Sequence, residues 1–355
     1  MLIKSPSIYV QKPDLAEICG PYLKPYSSHF FLILDDTVKD KYKGSLLSTC
    51  ASQSIRLTPF ISSVCTHSSI REAVNLALGS GIEGILGFGT EGTLNLAKAV
   101  GFYTNLPVIL IPSQYTCGTC VSCKAIVTEE FGDPISILAL SQSPAMVLAD
   151  TGILAESSQK TLLYSMAQAL SVYPDIQAAA DAIDSNLLPG DFASLTSFAF
   201  AKQSYDTILE YGKAALKSVK KHTCTQALEK VTEAVLYLGS MAEENSRPSV
   251  ITSLCQGFAS VPECKPYVSM CHSIGILLLM VLQHKPEEEI QQMKDFLEDE
   301  LSLPVCLTDL IKNRELNTFL APLAQAVSNG CEINSCMLFS MDWKTIAGAF
   351  LYLEN

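Results

Sequence analysis

Over the first 150 residues, short apolar runs alternate with stretches of helical spacing. Phe30–Leu34 (FFLIL), Gly84–Phe88 (GILGF), Pro107–Ile111 (PVILI), Ile135–Leu140 (ISILAL) and Ala145–Ala149 are too short for helices and read as buried strands. Between them, Ser69–Leu78 and Thr93–Phe102 repeat their apolar residues at helical intervals. Strands alternating with helices predict a parallel, Rossmann-like sheet with crossover helices.

After Asp150-Thr151 the pattern changes. Ile153–Leu170, Phe192–Val219, Cys224–Ala242, Val268–Gln283 and Pro286–Leu301 all have helical periodicity, with most prolines and glycines between them. Glu287-Glu288-Glu289 opens the last of these, where negative charge suits the helix dipole. The expected architecture is an α/β domain over residues 1–155 and an all-α domain over residues 156–355, with a cleft between them. A chain of 355 residues can bury two such cores.

Composition narrows the partners. Charged residues make up 17% of the chain, below the roughly 25% usual for soluble domains, while 48% is hydrophobic. That surplus favours a subunit interface, so a homo-oligomer is expected. A net charge of −12 with no basic block argues against nucleic acid and anionic membrane as partners. The N-terminal MLIKSPSIYVQ has no signal-peptide core, and Ile274–Leu282 is too short to span a bilayer, so a cytoplasmic location is expected. Thirteen scattered cysteines, an odd number, do not suggest a disulfide framework.

Several segments narrow the family. Ser5-Pro6-Ser7-Ile8-Tyr9-Val10-Gln11 resembles the opening strand of glycerol dehydrogenases. Gly87-Phe88-Gly89-Thr90-Glu91-Gly92-Thr93-Leu94-Asn95-Leu96-Ala97-Lys98-Ala99 falls where that family has a triple-glycine loop and a helix beginning Thr-Leu-Asp-Thr-Ala-Lys. Pro144–Thr151 is similar to its strand ending in Val-Asp-Thr, and Ala227–Val231 and Gly275–Ile290 also match. The resemblance spans nearly the whole chain and places it in the iron-containing alcohol dehydrogenase and dehydroquinate synthase-like superfamily. It implies a cleft in which NAD faces a zinc or iron ion held by one Asp and two His, the metal lowering the pKa of the substrate alcohol.

At each of those points the chain departs from the family. The Asp position falls on Ala167 or Gln168, the first His on Thr252 and the last on Val268 or Ser269. None of these is a good ligand for a divalent metal. Of the five histidines, only His272 lies near a ligand position. In the nucleotide loop, Thr90 and Glu91 replace two glycines, and a carboxylate repels a pyrophosphate. Gly87, Gly89 and Gly92 still spell G-x-G-x-x-G, a weak signal alone. Asp35 follows a strand, where the family often binds the adenosine ribose; the favoured reading is a strand-end cap. With Thr116, these residues are the candidate cofactor contacts, and NAD is expected to bind weakly or not at all. The family's substrate-orienting Asp falls on Gly118.

Cysteines take over the same region. Cys117, Cys120 and Cys123 form C-x2-C-x2-C, Cys255 stands beside the lost His, and Cys264 and Cys271 flank the third ligand position. Thiolates at this spacing can hold zinc or part of an iron–sulfur cluster, with Cys255 or Cys264 as the further ligand. They can equally be small packing residues in a disused cleft, or redox-active thiols. Three functions therefore stay open. One is a repurposed cleft with a cysteine-built site for an unidentified small molecule. Another is an NAD(P)-dependent polyol or alcohol dehydrogenase with altered metal dependence. The last is a non-catalytic binding paralogue.

Overall fold

A computed structural model describes residues 3–128, 136–184, 194–246, 250–312, 315–330 and 337–355. Eight strands are present among them: β1 (Ile8–Lys12), β2 (His29–Leu34), β3 (Arg56–Ile61), β4 (Gly84–Gly89), β5 (Val108–Pro112), β6 (Lys124–Val127), β7 (Ser136–Ala139) and β8 (Met146–Asp150). The longer helices are α1 (Asp36–Ser52), α2 (His67–Gly79), α3 (Glu91–Thr104), α4 (Gln159–Asp184), α5 (Leu195–Lys220), α6 (Gln226–Glu233), α7 (Val250–Ser260), α8 (His272–Leu282), α9 (Glu287–Asp295), α10 (Leu316–Ser328) and α11 (Trp343–Leu353).

Six strands form one parallel sheet in the order β1-β8-β5-β4-β2-β3. β2, β4 and β8 are buried along their whole length, as expected for strands covered on both faces. β3 was not read from the sequence. It is an edge strand with Pro59 inside it and alternating exposure, so it has no continuous apolar run. β7 corrects the sequence reading: it is not part of the parallel sheet but pairs antiparallel with β6 in a separate two-stranded sheet. Three of its four residues are exposed, so its apolar letters do not mark a buried strand. Ile135 lies outside the described residues.

The helix expected over Ile153–Leu170 is two helices. Asp150 caps a short one, Thr151–Ala155, by accepting from Gly152 N and Ile153 N. Ser158 Oγ then accepts from Lys160 N at the start of α4. Two side chains that satisfy helix-start amides within nine residues impose the break. The run expected from Val268 becomes a 3-10 segment, Lys265–Met270, with Pro266 in its first turn, followed by α8. A π-helical turn, Ala234–Gly239, follows α6. Phe192 lies outside the described residues; the helix expected from it is described as α5.

The sequence boundary near residue 155 marks the end of the parallel sheet. By packing, the chain forms two units. One comprises the residues up to Leu162 together with Ala214–Glu244. Its core lies between the sheet and α1, with Phe30, Leu32, Leu34, Leu46, Phe88, Ile109 and Leu148 all buried. The other comprises Leu163–Lys213 and Asn245–Asn355 and is helical. There α7 packs on α10, and α11 on both α10 and α8, around Leu254, Phe258, Leu277, Phe319, Leu323 and Phe350. The apolar run Ile274–Leu282 is buried in α8, and no described helix is long and apolar enough to cross a membrane.

Candidate functional site

In the sheet-bearing unit, α1 carries the chain from β2 to β3 on one side, and α3 carries it from β4 to β5 on the other. The crevice between the carboxyl ends of β2 and β4 is therefore the topological switch point, where open α/β sheets bind ligands. Asp35 ends β2, and the Gly89-Thr90-Glu91-Gly92 turn ends β4. The Asp35 carboxylate bridges the two. Its Oδ1 accepts from Thr37 N (3.0 Å) and from the Thr37 hydroxyl. Its Oδ2 accepts from Thr90 N (2.7 Å), Thr90 Oγ1 (2.9 Å) and Thr93 Oγ1 (3.1 Å). One carboxylate thus serves the amino ends of both α1 and α3. Burial pushes its pKa up, but the hydrogen bonds from Thr37, Thr90 and Thr93 together bring it below the ordinary aspartate value.

The surviving glycines fit this internal packing. A Cβ on Gly89 would lie 2.4 Å from Asp35 Oδ2, and one on Gly92 would lie 2.1 Å from the Ser63 carbonyl. A Cβ on Gly87 would meet that of Ala97 at 2.6 Å. Contacts within the protein are therefore sufficient reason for the G-x-G-x-x-G spelling. Glu91 is exposed, and its carboxylate accepts from Thr119 Oγ1 at 3.3 Å.

The cysteine loop follows β5 and is organised by Lys98, a residue that stands out in the sequence only by its match to the family helix. The lysine is 2% exposed, and its Nζ donates to the carbonyls of Thr119 (2.8 Å) and Lys124 and to Ser122 Oγ (3.2 Å). Burial lowers its pKa to about 8. Gly118, at φ +83°, takes the left-handed turn that lets its N–H reach Ser240 Oγ at 2.7 Å.

Within this loop the sulfurs turn to different neighbours. Cys117 Sγ accepts from Ser240 Oγ (3.6 Å), Cys120 Sγ pairs with Thr116 Oγ1 (3.6 Å), and Cys123 Sγ pairs with Ser143 Oγ (3.1 Å). All three cysteines are buried, and burial raises Cys120 to about 11 and pushes Cys117 and Cys123 up as well. These are protonated, hydrogen-bonded thiols rather than exposed thiolates. A cavity of about 330 Å³ touches Lys98, but it opens beside Pro107, Val108 and Ala145, at the amino ends of β5 and β8. That is the end of the sheet opposite to the ligand-binding one.

In the helical unit the three segments matching the family's ligand positions do converge. Ser171, one turn beyond Gln168, meets His272 (Oγ to Nδ1, 3.2 Å). Cys255, one turn beyond Thr252, meets Cys271 (Sγ to Sγ, 3.4 Å) and His272 (Sγ to Nε2, 3.7 Å). The partner of Cys255 is thus Cys271, two residues past Ser269, while Cys264 is buried with its thiol raised to about 12 by burial.

The donors at the ligand positions do not suit the family's metal. Ala167 is an aliphatic side chain at 0% exposure, its alternative Gln168 is a neutral amide, and Thr252, Val268 and Ser269 carry no carboxylate, imidazole or thiol. Among the described residues, no group of three or more His, Cys, Asp or Glu side chains is placed to hold a metal ion. The Cys117, Cys120 and Cys123 loop lies in the sheet-bearing unit, and Cys255 and Cys264 lie in the helical one.

Comparison with known proteins agrees with this architecture. Residues 6–151 match the model of the iron-containing alcohol dehydrogenase family. A glycerol dehydrogenase of Citrobacter freundii is 29% identical over 352 residues, covering 99% of this chain and 96% of the relative. One from Pseudomonas putida is 28% identical over 359 residues, covering 99% and 97%. Among solved structures, glycerol dehydrogenase from Schizosaccharomyces pombe superposes with a TM-score of 0.87 at 20% identity, covering 99% of this chain and 90% of that one. A probable glycerol dehydrogenase from Sinorhizobium meliloti 1021 gives 0.85 at 21%, covering 99% and 98%. Residues 6–151 thus match the iron-containing alcohol dehydrogenase family, and nearly the whole chain is similar in sequence and in fold to glycerol dehydrogenases.

Proposed function

We propose that this protein keeps the glycerol dehydrogenase scaffold but not the metal-assisted, NAD-linked oxidation of polyols, and that it acts as a binding member of the family rather than as an alcohol dehydrogenase. The observation that carries the reading is the donor set of the helical unit. Where three ligand-bearing segments meet, the side chains in contact are Ser171, Cys255, Cys271 and His272, and the ligand positions hold Ala167, Thr252 and Val268 or Ser269. Without a Lewis acid, a polyol hydroxyl keeps a pKa far above neutrality, and hydride has little reason to leave.

The nucleotide crevice supports the same reading. Asp35 already occupies the amide and the two threonine hydroxyls at the start of α3, and Glu91 adds a second negative charge. A pyrophosphate at this position would meet carboxylates instead of bare amides. A zinc or iron–sulfur site drawn from Cys117, Cys120, Cys123, Cys255 and Cys264 is not part of the proposal, because the first three sulfurs are directed to separate hydroxyls.

Calorimetric titration with NAD tests the nucleotide half. The unmodified chain should give no saturable heat at micromolar NAD. The double change Thr90→Gly with Glu91→Gly should tighten binding by about tenfold, through removal of one nearby carboxylate. Tight binding to the unmodified chain would favour instead an NAD(P)-dependent dehydrogenase with altered metal dependence.

A further inference from the structure

The pairing of Cys255 with Cys271 follows neither from the family's chemistry nor from the C-x2-C-x2-C run. The two sulfurs lie 3.4 Å apart, on α7 and at the junction between the 3-10 segment and α8. Cys271 is fully buried, and its Sγ donates to the Val268 carbonyl at 3.1 Å. Cys255 is the less buried residue of the two, and the hydrogen bond to Cys271 and burial push its thiol up, so it needs a base to ionise.

The imidazole of His272 is oriented by its neighbours. Ser171 Oγ donates its hydrogen to the Gln168 carbonyl (2.7 Å), so toward His272 Nδ1 it can only accept. Of the two ring nitrogens, Nε2 lies nearer to Cys255 Sγ, at 3.7 Å. A thiol, a second thiol and a proton acceptor are thus assembled at one point.

We propose that Cys255 and Cys271 are a redox-active dithiol that closes reversibly to a disulfide when the protein meets a small-molecule disulfide. Cys255 gives its proton to His272 Nε2, and its thiolate attacks one sulfur of the reagent, R–S–S–R. The reagent's S–S bond breaks, a mixed disulfide forms on Cys255, and one thiolate RS⁻ leaves. Cys271 passes its proton to the departing RS⁻, which becomes a thiol, and its thiolate attacks Cys255 Sγ, expelling the second RS⁻, which takes up the proton held by His272. Two electrons pass to the reagent, which ends as two thiols, and the protein gains one S–S bond. Closing the pair to the roughly 2.05 Å of a disulfide bond needs only a small approach of the two side chains. The cross-link would fasten the 3-10 segment carrying Val268 and Ser269 to the helix carrying Thr252. It does not depend on whether the scaffold retains any dehydrogenase activity.

The test uses the full chain, fully reduced and then exposed to oxidised glutathione. Free thiols are blocked with N-ethylmaleimide and the protein is digested, without reduction, by a protease that cleaves after glutamate. Cleavage after Glu244, Glu263 and Glu287 places Cys255 and Cys271 on separate peptides, the second of which also holds Cys264. A linked pair of peptides should appear in most molecules, vanish on treatment with dithiothreitol, persist in Cys264→Ser and be absent in Cys271→Ser. The exposed Cys224 serves as the control for reagent exposure, since it should carry glutathione in the same sample. Cys255 and Cys271 both recovered as maleimide adducts while Cys224 is glutathionylated would overturn the proposal. So would loss of the link in Cys264→Ser with retention in Cys271→Ser. The unmodified chain supplies the decisive reading even if a variant fails to fold.

Discussion

Replacing Asp35 with alanine should lower the stability of the protein by about 3 kcal/mol, the sum of lost helix capping and of donors left without their charged acceptor. Five hydrogen bonds end on this carboxylate, from Thr37, Thr90 and Thr93, and the residue has no exposed surface. For a unit of this size that corresponds to a fall in melting temperature of roughly 6–12 °C. Asp35→Asn should cost less, because one oxygen remains to accept while the new NH2 faces the donors of Thr90. The effect has a pH signature. The folded pKa of Asp35 is depressed, so its contribution is present above the ordinary carboxylate range and is lost as the pH falls through the folded value. The gap between wild type and Asp35→Ala should therefore be constant near neutrality and narrow below about pH 4. A variant as stable as wild type at pH 7 would show that the bridge between α1 and α3 contributes nothing.

At the other end of the pH scale, stability should fall steeply. Burial raises Cys120 to about 11 and Cys65 and Cys264 to about 12, and it pushes Cys117 up as well. Their unfolded counterparts ionise near the ordinary thiol value. Groups whose folded pKa is raised keep their contribution below the unfolded pKa and lose it as the pH climbs toward the folded one. Each such thiol removes about 1.4 kcal/mol per pH unit above about pH 9. Lys98 acts in the opposite sense, because its folded pKa is lowered to about 8, so stability gains from it between there and the ordinary lysine value. Four thiols against one lysine leave a net loss of roughly 4 kcal/mol per pH unit. Urea unfolding under reducing conditions should show a midpoint that drops sharply between about pH 9 and pH 11, and Lys98→Met should make the drop steeper. A midpoint that stays level or rises over this range would mean that the buried thiols are not held protonated.

The sheet was legible where burial on both faces left unbroken apolar runs. FFLIL, GILGF and PVILI each became a central strand within a residue or two of expectation. β3 was not legible, because Pro59 and its half-exposed neighbours suit an edge strand, and edge strands lack a distinctive pattern. Ile135–Leu140 misled for the opposite reason. Its letters are apolar, but they lie in a small ribbon whose residues are mostly exposed.

In the candidate site, the expectation that Ala167 or Gln168, Thr252 and Val268 or Ser269 stand at ligand positions rests on sequence register. Side-chain partnership could not be read. Cys255 or Cys264 was expected to serve the C-x2-C-x2-C loop as a further ligand, whereas the residue in contact with Cys255 is Cys271, at the end of the 3-10 segment. Short sequence spacing suggested that Cys117, Cys120 and Cys123 share a target. The left-handed Gly118 and the carbonyls gathered by Lys98 give each sulfur its own neighbour. The double service of Asp35 was likewise invisible, because it joins residues 55 and more positions apart.

The central claim is that this scaffold no longer performs metal-assisted polyol oxidation, and the formation of NADH from glycerol tests it most directly. The reduced protein would be loaded anaerobically with zinc or with ferrous iron, supplied with NAD and glycerol, and assayed with and without a chelator. The account predicts no NADH above the protein-free control under any of these conditions. Steady turnover that appears with the metal and disappears with the chelator would contradict it.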